Sequence, residues 1–532
     1  MKRMNLFCQV LRNGKKVLSF CLFAFLPLNM VAQDNITLDT YIGAQLATED
    51  LNGTARYVGM GGAMDALGAE ISTIGSNPAG IGLFRSNQVS TSFGLVSQQD
   101  GKSFQDGSKT HASFDQIGVV FATRYDQQSF INFGFNFHKS RDFNHVLSAA
   151  AAAVNGSAQN RQTTIKGIRG DLDRRYGESQ VDNLYLESGM ITDDKGNVYD
   201  VAASSYDFCR AQTGYIGEYD FNLSGNINNR VYLGFTAGIK SVHYKSYTEY
   251  AEELASLVYD EVGMKDEHKI TGTGFDIKFG VIVRPIDESP FRLGLSVASP
   301  TWYKLKTQNF SGIYDEYGCV REVSTNGEFR MNTPWKFGVS AGHTIGREVA
   351  LGFGFEYADY STLDMRTISG RSYDWDGYAY DDSSSDGVMK RLTENTLKGV
   401  STLKVGVEYK PDPSVAIRAG YNYQSPMYKK EAVRDQTLSS PGTWMASTTD
   451  YTNWESTNRL TLGLGFTFDK LRLDLGYQYT MRSGNFYPYM NGVSATYVSD
   501  ETGRTMELRN DCHAVSVKDN RHQLLCSLTY SF

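Results

Sequence analysis

The chain reads as an all-β protein, a fourteen-stranded antiparallel transmembrane β-barrel whose N-terminal segment sits as a hatch inside the lumen. Three observations predict this. The last twelve residues, Arg521 to Phe532, alternate Leu524, Cys526, Leu528, Tyr530 and Phe532 with Gln523, Ser527, Thr529 and Ser531, and the chain stops on an aromatic residue. A period of two puts one side-chain set on lipid and the other on a lumen, as in the closing strand of a membrane barrel. Segments of the same kind recur through the chain. The connections between them alternate strictly between short and long.

Taken from the start, Lys2, Arg3, Arg12, Lys15 and Lys16 precede an apolar run from Val17 to Leu28 that leads to Ala32 and then polar Gln33-Asp34. The run is shorter than the roughly 20 residues of a spanning helix, so 1–32 reads as a secretory signal cleaved after Ala32. A rival reading takes Leu18-Ser19-Phe20-Cys21 as a lipid-anchor site, which the bulk of Phe20 opposes. Residues 33–86 follow as a hatch or plug, and 87–532 as the barrel with long outer loops. Gly59-Met60-Gly61-Gly62 and Asn77-Pro78-Ala79-Gly80 give the plug turns and close backbone packing. A plug is needed because barrels of about eight strands fill with side chains, whereas those of about sixteen leave an aqueous channel.

The expected strands lie near 88–96, 114–123, 129–138, 213–225, 231–242, 271–284, 291–299, 329–345, 349–360, 396–409, 415–424, 458–468, 471–480 and 521–532. Their faces separate cleanly. Ile131, Phe133, Phe135 and Phe137 alternate with Asn132, Gly134 and Asn136, and Leu460, Leu462, Leu464 and Phe466 with Thr461, Gly463 and Gly465. Short turns at 124–128, 226–230, 285–290, 346–348, 410–414 and 469–470 face long connections at 97–112, 139–212, 243–270, 300–328, 361–395, 425–457 and 481–520. That parity belongs to a barrel with periplasmic turns and outer loops.

Composition removes other classes. A formal charge of -7 with no basic stripe argues against a nucleic-acid partner. The cysteines left after processing, Cys209, Cys319, Cys512 and Cys526, lack metal-knuckle spacing. The first three fall in expected outer loops, where one disulfide could form, and Cys526 reads as lipid-facing. Gly338-Val339-Ser340-Ala341-Gly342 matches a nucleophile elbow but lies within an expected strand, not at a strand-to-helix turn, so no enzyme is expected.

The run Ala55-Arg56-Tyr57-Val58-Gly59-Met60-Gly61-Gly62-Ala63 followed by Asn77-Pro78-Ala79-Gly80 resembles the N-terminal hatch of the FadL/OmpP1/TodX outer-membrane transporters. Similar segments are Gly294 to Pro300, Thr333-Pro334-Trp335-Lys336-Phe337-Gly338, and Leu403 to Tyr409 with Ile417 to Tyr421 and Ser425-Pro426. The resemblance implies a monomer in the Gram-negative outer membrane that takes up hydrophobic small molecules passively, chiefly long-chain fatty acids or aromatic hydrocarbons, without a cofactor. It also implies capture in an apolar loop groove and sideways exit near a kinked third strand.

Candidate site residues follow. Gly59, Gly61, Gly62, Asn77, Pro78, Ala79 and Gly80 shape the hatch or gate. Tyr250, Leu254, Leu257 and Val258 share one helical face and could line the capture groove, or simply pack a loop helix. Lys240, Lys278, Arg418 and Arg472 have lumen parity and could meet a ligand carboxylate, although pairing with acids such as Asp276, Glu408 and Asp474 is the plainer reading. Two alternatives stay open: a surface-recognition or adhesin barrel using its long loops, and a haem-binding receptor with a loop His or Tyr ligand.

Overall fold

The computed structural model describes residues 36–193, 198–255, 260–373, 375–377, 379–498 and 503–532. The expected signal sequence, and with it Leu257 and Val258, lies outside the described residues. Fourteen wall strands close an antiparallel barrel. They are β1 (Gln88–Gln98), β2 (Thr110–Arg124), β3 (Phe130–Asp142), β4 (Ala203–Ile227), β5 (Val231–Leu254), β6 (Glu261–Val283) and β7 (Arg292–Ala298), then β8 (Lys336–Ile345), β9 (Val349–Asp359), β10 (Gly399–Asp412), β11 (Val415–Gln424), β12 (Tyr451–Phe468), β13 (Leu471–Tyr487) and β14 (Arg521–Ser531). The ring closes where β1 pairs with β14, from Gln88 opposite Ser531 to Gln98 opposite Arg521.

The two faces fall as the alternation requires. Phe133, Leu462, Leu464, Leu475, Leu524 and Leu528 are exposed on the outer wall, while Asn132, Asn136, Thr461, Asp474, Gln478 and Ser527 are buried behind it. Polar groups inside and apolar groups outside invert the arrangement of a soluble barrel. Trp302 and Phe275 stack with ring centroids 6.2 Å apart on the outer surface, part of an aromatic belt.

The long connections differ from expectation, because most of their length continues the wall strands outward. β5 and β6 stay paired up to Glu253 opposite Glu261, so Tyr250 and Leu254 lie on a strand and not on a helix. The 3.6-residue spacing of four apolar groups coexists with a period of two running through Tyr244, Ser246, Thr248 and Tyr250, all buried, and pairing with two neighbours decides for the strand. Cys209 likewise lies on β4 rather than in a loop. Cys319 and Cys512 are free thiols, and Cys526 is exposed on the lipid-facing side of β14. Pro300 and Pro334 interrupt the wall where no ladder N–H can be supplied. The expected strand 329–345 is therefore two, with a hairpin of Trp302–Asp315 and Gly318–Asn332 rising between β7 and β8.

Between β3 and β4 the chain adds a strand, His145–Ala152, and helices α3 (Gln159–Arg169) and α4 (Gln180–Ser188), following α1 (Thr40–Ala47) and α2 (Ala55–Gly59) of the N-terminal segment. Ser179 and Asp182 form a reciprocal cap that starts α4, and Gly189 in the left-handed region at φ 74° ends it. Val181, Leu184 and Tyr185 of α4 are buried with Leu147, Phe208, Tyr250 and Phe486, each such side chain contributing roughly 1.5–3 kcal/mol. The outer end of the barrel is thus roofed by packed structure.

Candidate ligand passage

Residues 36–84 make few ladder bonds but are almost wholly buried, and they touch the inward faces of strands around the ring. The Ala55 amide donates to Ser527 Oγ on β14 (2.6 Å), Thr461 on β12 donates to the Gly59 carbonyl (3.2 Å), and Asn422 on β11 to that of Gly61 (3.3 Å). On the opposite wall, Arg292 on β7 donates to the Leu67 carbonyl (2.6 Å) and Asn132 on β3 to that of Ile81 (2.6 Å).

Glycines make this approach possible. Gly352, Gly406 and Gly420 face one another across β9, β10 and β11, and a Cβ at each would overlap the Ala63 carbonyl, the Met60 carbonyl and the Gly61 amide in turn. Gly234 and Gly280, paired on β5 and β6, leave the same room for Pro78 and Asn77. Within the segment, Gly61 and Gly62 adopt φ of 63° and 76°, the left-handed region that costs other residues energy. Asn77 Oδ1 accepts from the Ala79 amide (3.2 Å) and starts the short turn Pro78–Leu83, which carries Ala79 and Gly80.

Charges bind the same segment to the wall. Glu49 takes Lys240 at 2.6 Å and Lys336 at 2.5 Å, and Arg56 meets Glu408 at 3.1 Å. The four cations with lumen parity are all matched by acids. Lys240 also approaches Glu218 and Asp276, at 3.2 and 3.3 Å, and Lys278 holds Asp220 at 3.0 Å and Glu218. Arg418 bridges Glu408 and Asp474, at 2.6 and 2.8 Å, and Arg472 meets Asp474 at 2.8 Å. Their charge is spent on structure, since a buried ion without its partner is strongly destabilising. His138, Glu218 and Asp220 could converge on a cation, but the Lys278 ammonium already holds both carboxylates.

Three adjoining cavities lie between the segment and the outer roof. The outermost, about 140 Å³, is lined by Tyr41, Phe143, Tyr428, Tyr451, Trp454 and Met427 among others. Tyr41 stacks on Tyr428 with centroids 5.1 Å apart, and Tyr451 on Tyr487 at 4.8 Å. Two cavities of about 80 and 120 Å³ continue inward, and Gln424 borders all three. Arg459 of β12 borders the inner two. It is 6% exposed, donates from Nη1 to Asn422 Oδ1 (2.9 Å), and makes no ion pair among the described residues. Neighbouring guanidinium groups differ: Arg482 and Arg521 share Asp519, at 2.6 and 2.7 Å, and Arg141 holds Asp50 at 2.7 Å. Arg459 was open to sequence reading, because its inward parity follows from lipid-facing Leu460 and Leu462. That it makes no ion pair depends on remote elements: Asp50, which lines both inner cavities beside it, is held by Arg141.

Tyr250 is buried in the apolar cluster under the roof and Leu254 is half-buried at its edge; neither borders these cavities.

The ladder between β2 and β3 stops short. β2 and β3 pair from Arg124 opposite Phe130 only as far as Gln116 opposite His138. Above that level β3 bulges between Lys139 and Arg141 against β4, and β2 bulges at Asp115 against β1. Side chains span the interval instead: Lys139 donates to Ser113 Oγ (2.5 Å), and His111 Nε2 lies 3.1 Å from Asp142 Oδ2. Asp115 and Asp142 also line the 80 Å³ cavity, so it abuts this seam.

A fourteen-stranded barrel with a lipid-facing apolar surface, a packed lumen and internal cavities defines an outer-membrane transport protein. The chain belongs to the outer membrane protein transport protein family (OMPP1/FadL/TodX), whose model matches residues 218–486, and it resides in the Gram-negative outer membrane. The family comprises channels for hydrophobic compounds and not enzymes. Among solved structures, a Pseudomonas aeruginosa FadL homologue aligns over 91% of this chain and 100% of its own at 12% identity and a TM-score of 0.48. The Pseudomonas putida toluene transporter TodX aligns over 91% and 99% at 12% identity and 0.45, and the CymD monoaromatic hydrocarbon channel over 91% and 99% at 9% and 0.48. No curated protein sequence matches the chain.

Proposed function

We propose that this barrel takes up hydrophobic small molecules that carry one anionic head, with long-chain fatty acids as the class that fits. Residues 33–86 act as a hatch that stays seated, and the ligand leaves through the β2–β3 seam. The observation that carries the reading is Arg459, a buried guanidinium at the junction of the cavities with no carboxylate of its own. A ligand carboxylate would satisfy it with charge-assisted hydrogen bonds, while the ligand's apolar body would rest among Tyr41, Tyr428, Tyr451 and Trp454. Lateral release into the bilayer spares the apolar body a passage through water.

The test is equilibrium binding of palmitate and of hexadecane to the purified protein and to Arg459→Gln. Palmitate should weaken by roughly tenfold or more on losing a charged hydrogen bond, with hexadecane unchanged. Equal affinity of the variant for palmitate would refute the assignment of the head group.

A further inference from the structure

The outer wall above the aromatic belt carries a concentration of positive charge that transport does not use. On the outward face of β5 and β6, Lys245 stands directly opposite Lys269, and Lys269 in turn opposite Gln308. Lys269 is exposed and makes no ion pair among the described residues, and Lys245 reaches only exposed Asp106 at 3.1 Å. Like charges facing each other across a ladder are destabilising, and with Asp106 engaged by Lys245 the Lys269 ammonium is left open to a counter-charge from outside the chain.

The surrounding rows reinforce it. Moving outward from Phe275 opposite Trp302, the next outward-facing row holds Thr273, Lys304 and Arg330, the one beyond it His243, Thr271 and Lys306, and then comes the Lys245–Lys269 pair. Each row adds roughly 7 Å along a strand, so all these cations stand within about three rows of the belt that marks the membrane surface. Glu328 and Asp381 partly balance Lys304, Lys306 and Arg330. The next outward-facing acid, Glu267, comes only in the row above, opposite Tyr247.

We propose that this face binds the phosphate groups of outer-leaflet glycolipid, with Lys245 and Lys269 at its centre and Lys306 beside them. Position and sign argue for this occupant together. The cations sit at headgroup height on a surface that faces the membrane plane, and phosphate offers several strong acceptors to ammonium donors. The inference is independent of which molecule the lumen carries.

The experiment is native mass spectrometry of the full-length mature protein titrated with monophosphoryl lipid A or with the same lipid after removal of its phosphate. Wild type should retain the phosphorylated form at least about tenfold better, and Lys245→Gln with Lys269→Gln should abolish the difference. A control carrying Lys390→Gln and Arg391→Gln, on the exposed face of the half-buried helix Gly387–Thr396, makes the same change in net charge and should leave retention intact. Heat-modifiable migration in gels verifies that each variant is a folded barrel. Equal retention of the phosphate-free lipid by wild type, or an equal loss in the control, would overturn the proposal.

Discussion

The carbonyl oxygen of Met60 occupies the space where a side chain at Gly406 would begin. The N-terminal segment is therefore set against the wall backbone to backbone, with Gly352 and Gly420 on either side of Gly406 in the same relation to Ala63 and Gly61. Contacts of this kind yield only if the segment shifts as a body.

Gly406→Val should consequently unseat the segment while sparing the wall, because valine suits a strand and its neighbours Val405 and Val407 already face lipid. The expected result is a folded barrel with raised ion conductance in a planar bilayer. Conductance equal to wild type would mean that the segment does not seal the lumen.

The pairing of Asp39 with Arg434 gives a second expectation. Asp39 caps α1 by accepting from the Tyr41 amide (2.8 Å), and its other oxygen takes Arg434 Nη2 at 2.6 Å, both residues being buried. Asp39→Ala removes a cap worth about 1 kcal/mol and leaves a buried cation, a total loss on the order of 3–5 kcal/mol. The double variant Asp39→Ala with Arg434→Met should recover part of it. Protease protection of residues 36–50 reads the effect, and no gain in the double variant would show that the charge is not the source.

A pH dependence follows from His145, on the outer strand His145–Ala152 and clear of the membrane. It is 6% exposed, edge-on to Trp454, with Asp519 at 3.6 Å. Burial, against the pull of Asp519, pushes its pKa down to about 4. The unfolded chain then binds more protons than the folded one between about 6.5 and 4. Stability of the outer roof is full above that window and falls as pH drops through it. The protection factors of the 145–152 amides, referred to intrinsic exchange at each pH, should fall between pH 7 and 4, and His145→Gln should flatten the trend; an unchanged slope in the variant would assign it elsewhere.

Much of the fold was legible because a barrel writes its geometry into the period of two. Leu460, Leu462 and Leu464 declare the lipid face of β12 without any knowledge of its neighbours, and the terminal strand does the same. The outer extensions were less legible. Tyr250 to Leu254 carry a helical spacing and a strand alternation at once, and only pairing with β4 and β6 separates them. Helices α3 and α4 fall in a polar connection where Ser179 and Asp182 mark the start of α4 and Gly170 and Gly189 the two ends, while α3 starts at Ala158 with no side-chain cap. Parity placed Lys240, Lys278, Arg418 and Arg472 inward with Asp276, Glu408 and Asp474 close in sequence, but Glu49, Glu218 and Asp220, which share Lys240 and Lys278, come from far along the chain. The same remoteness hid the isolation of Arg459.

The measurement that bears most directly on the account is uptake of labelled palmitate into lipid vesicles carrying the full-length protein with Ser113→Cys and Lys139→Cys, before and after a bifunctional maleimide joins β2 to β3. The protein with its native cysteines alone, treated in the same way, serves as the control. Sealing the seam should stop uptake while palmitate binding persists. Undiminished uptake through a sealed seam would contradict lateral exit at this position.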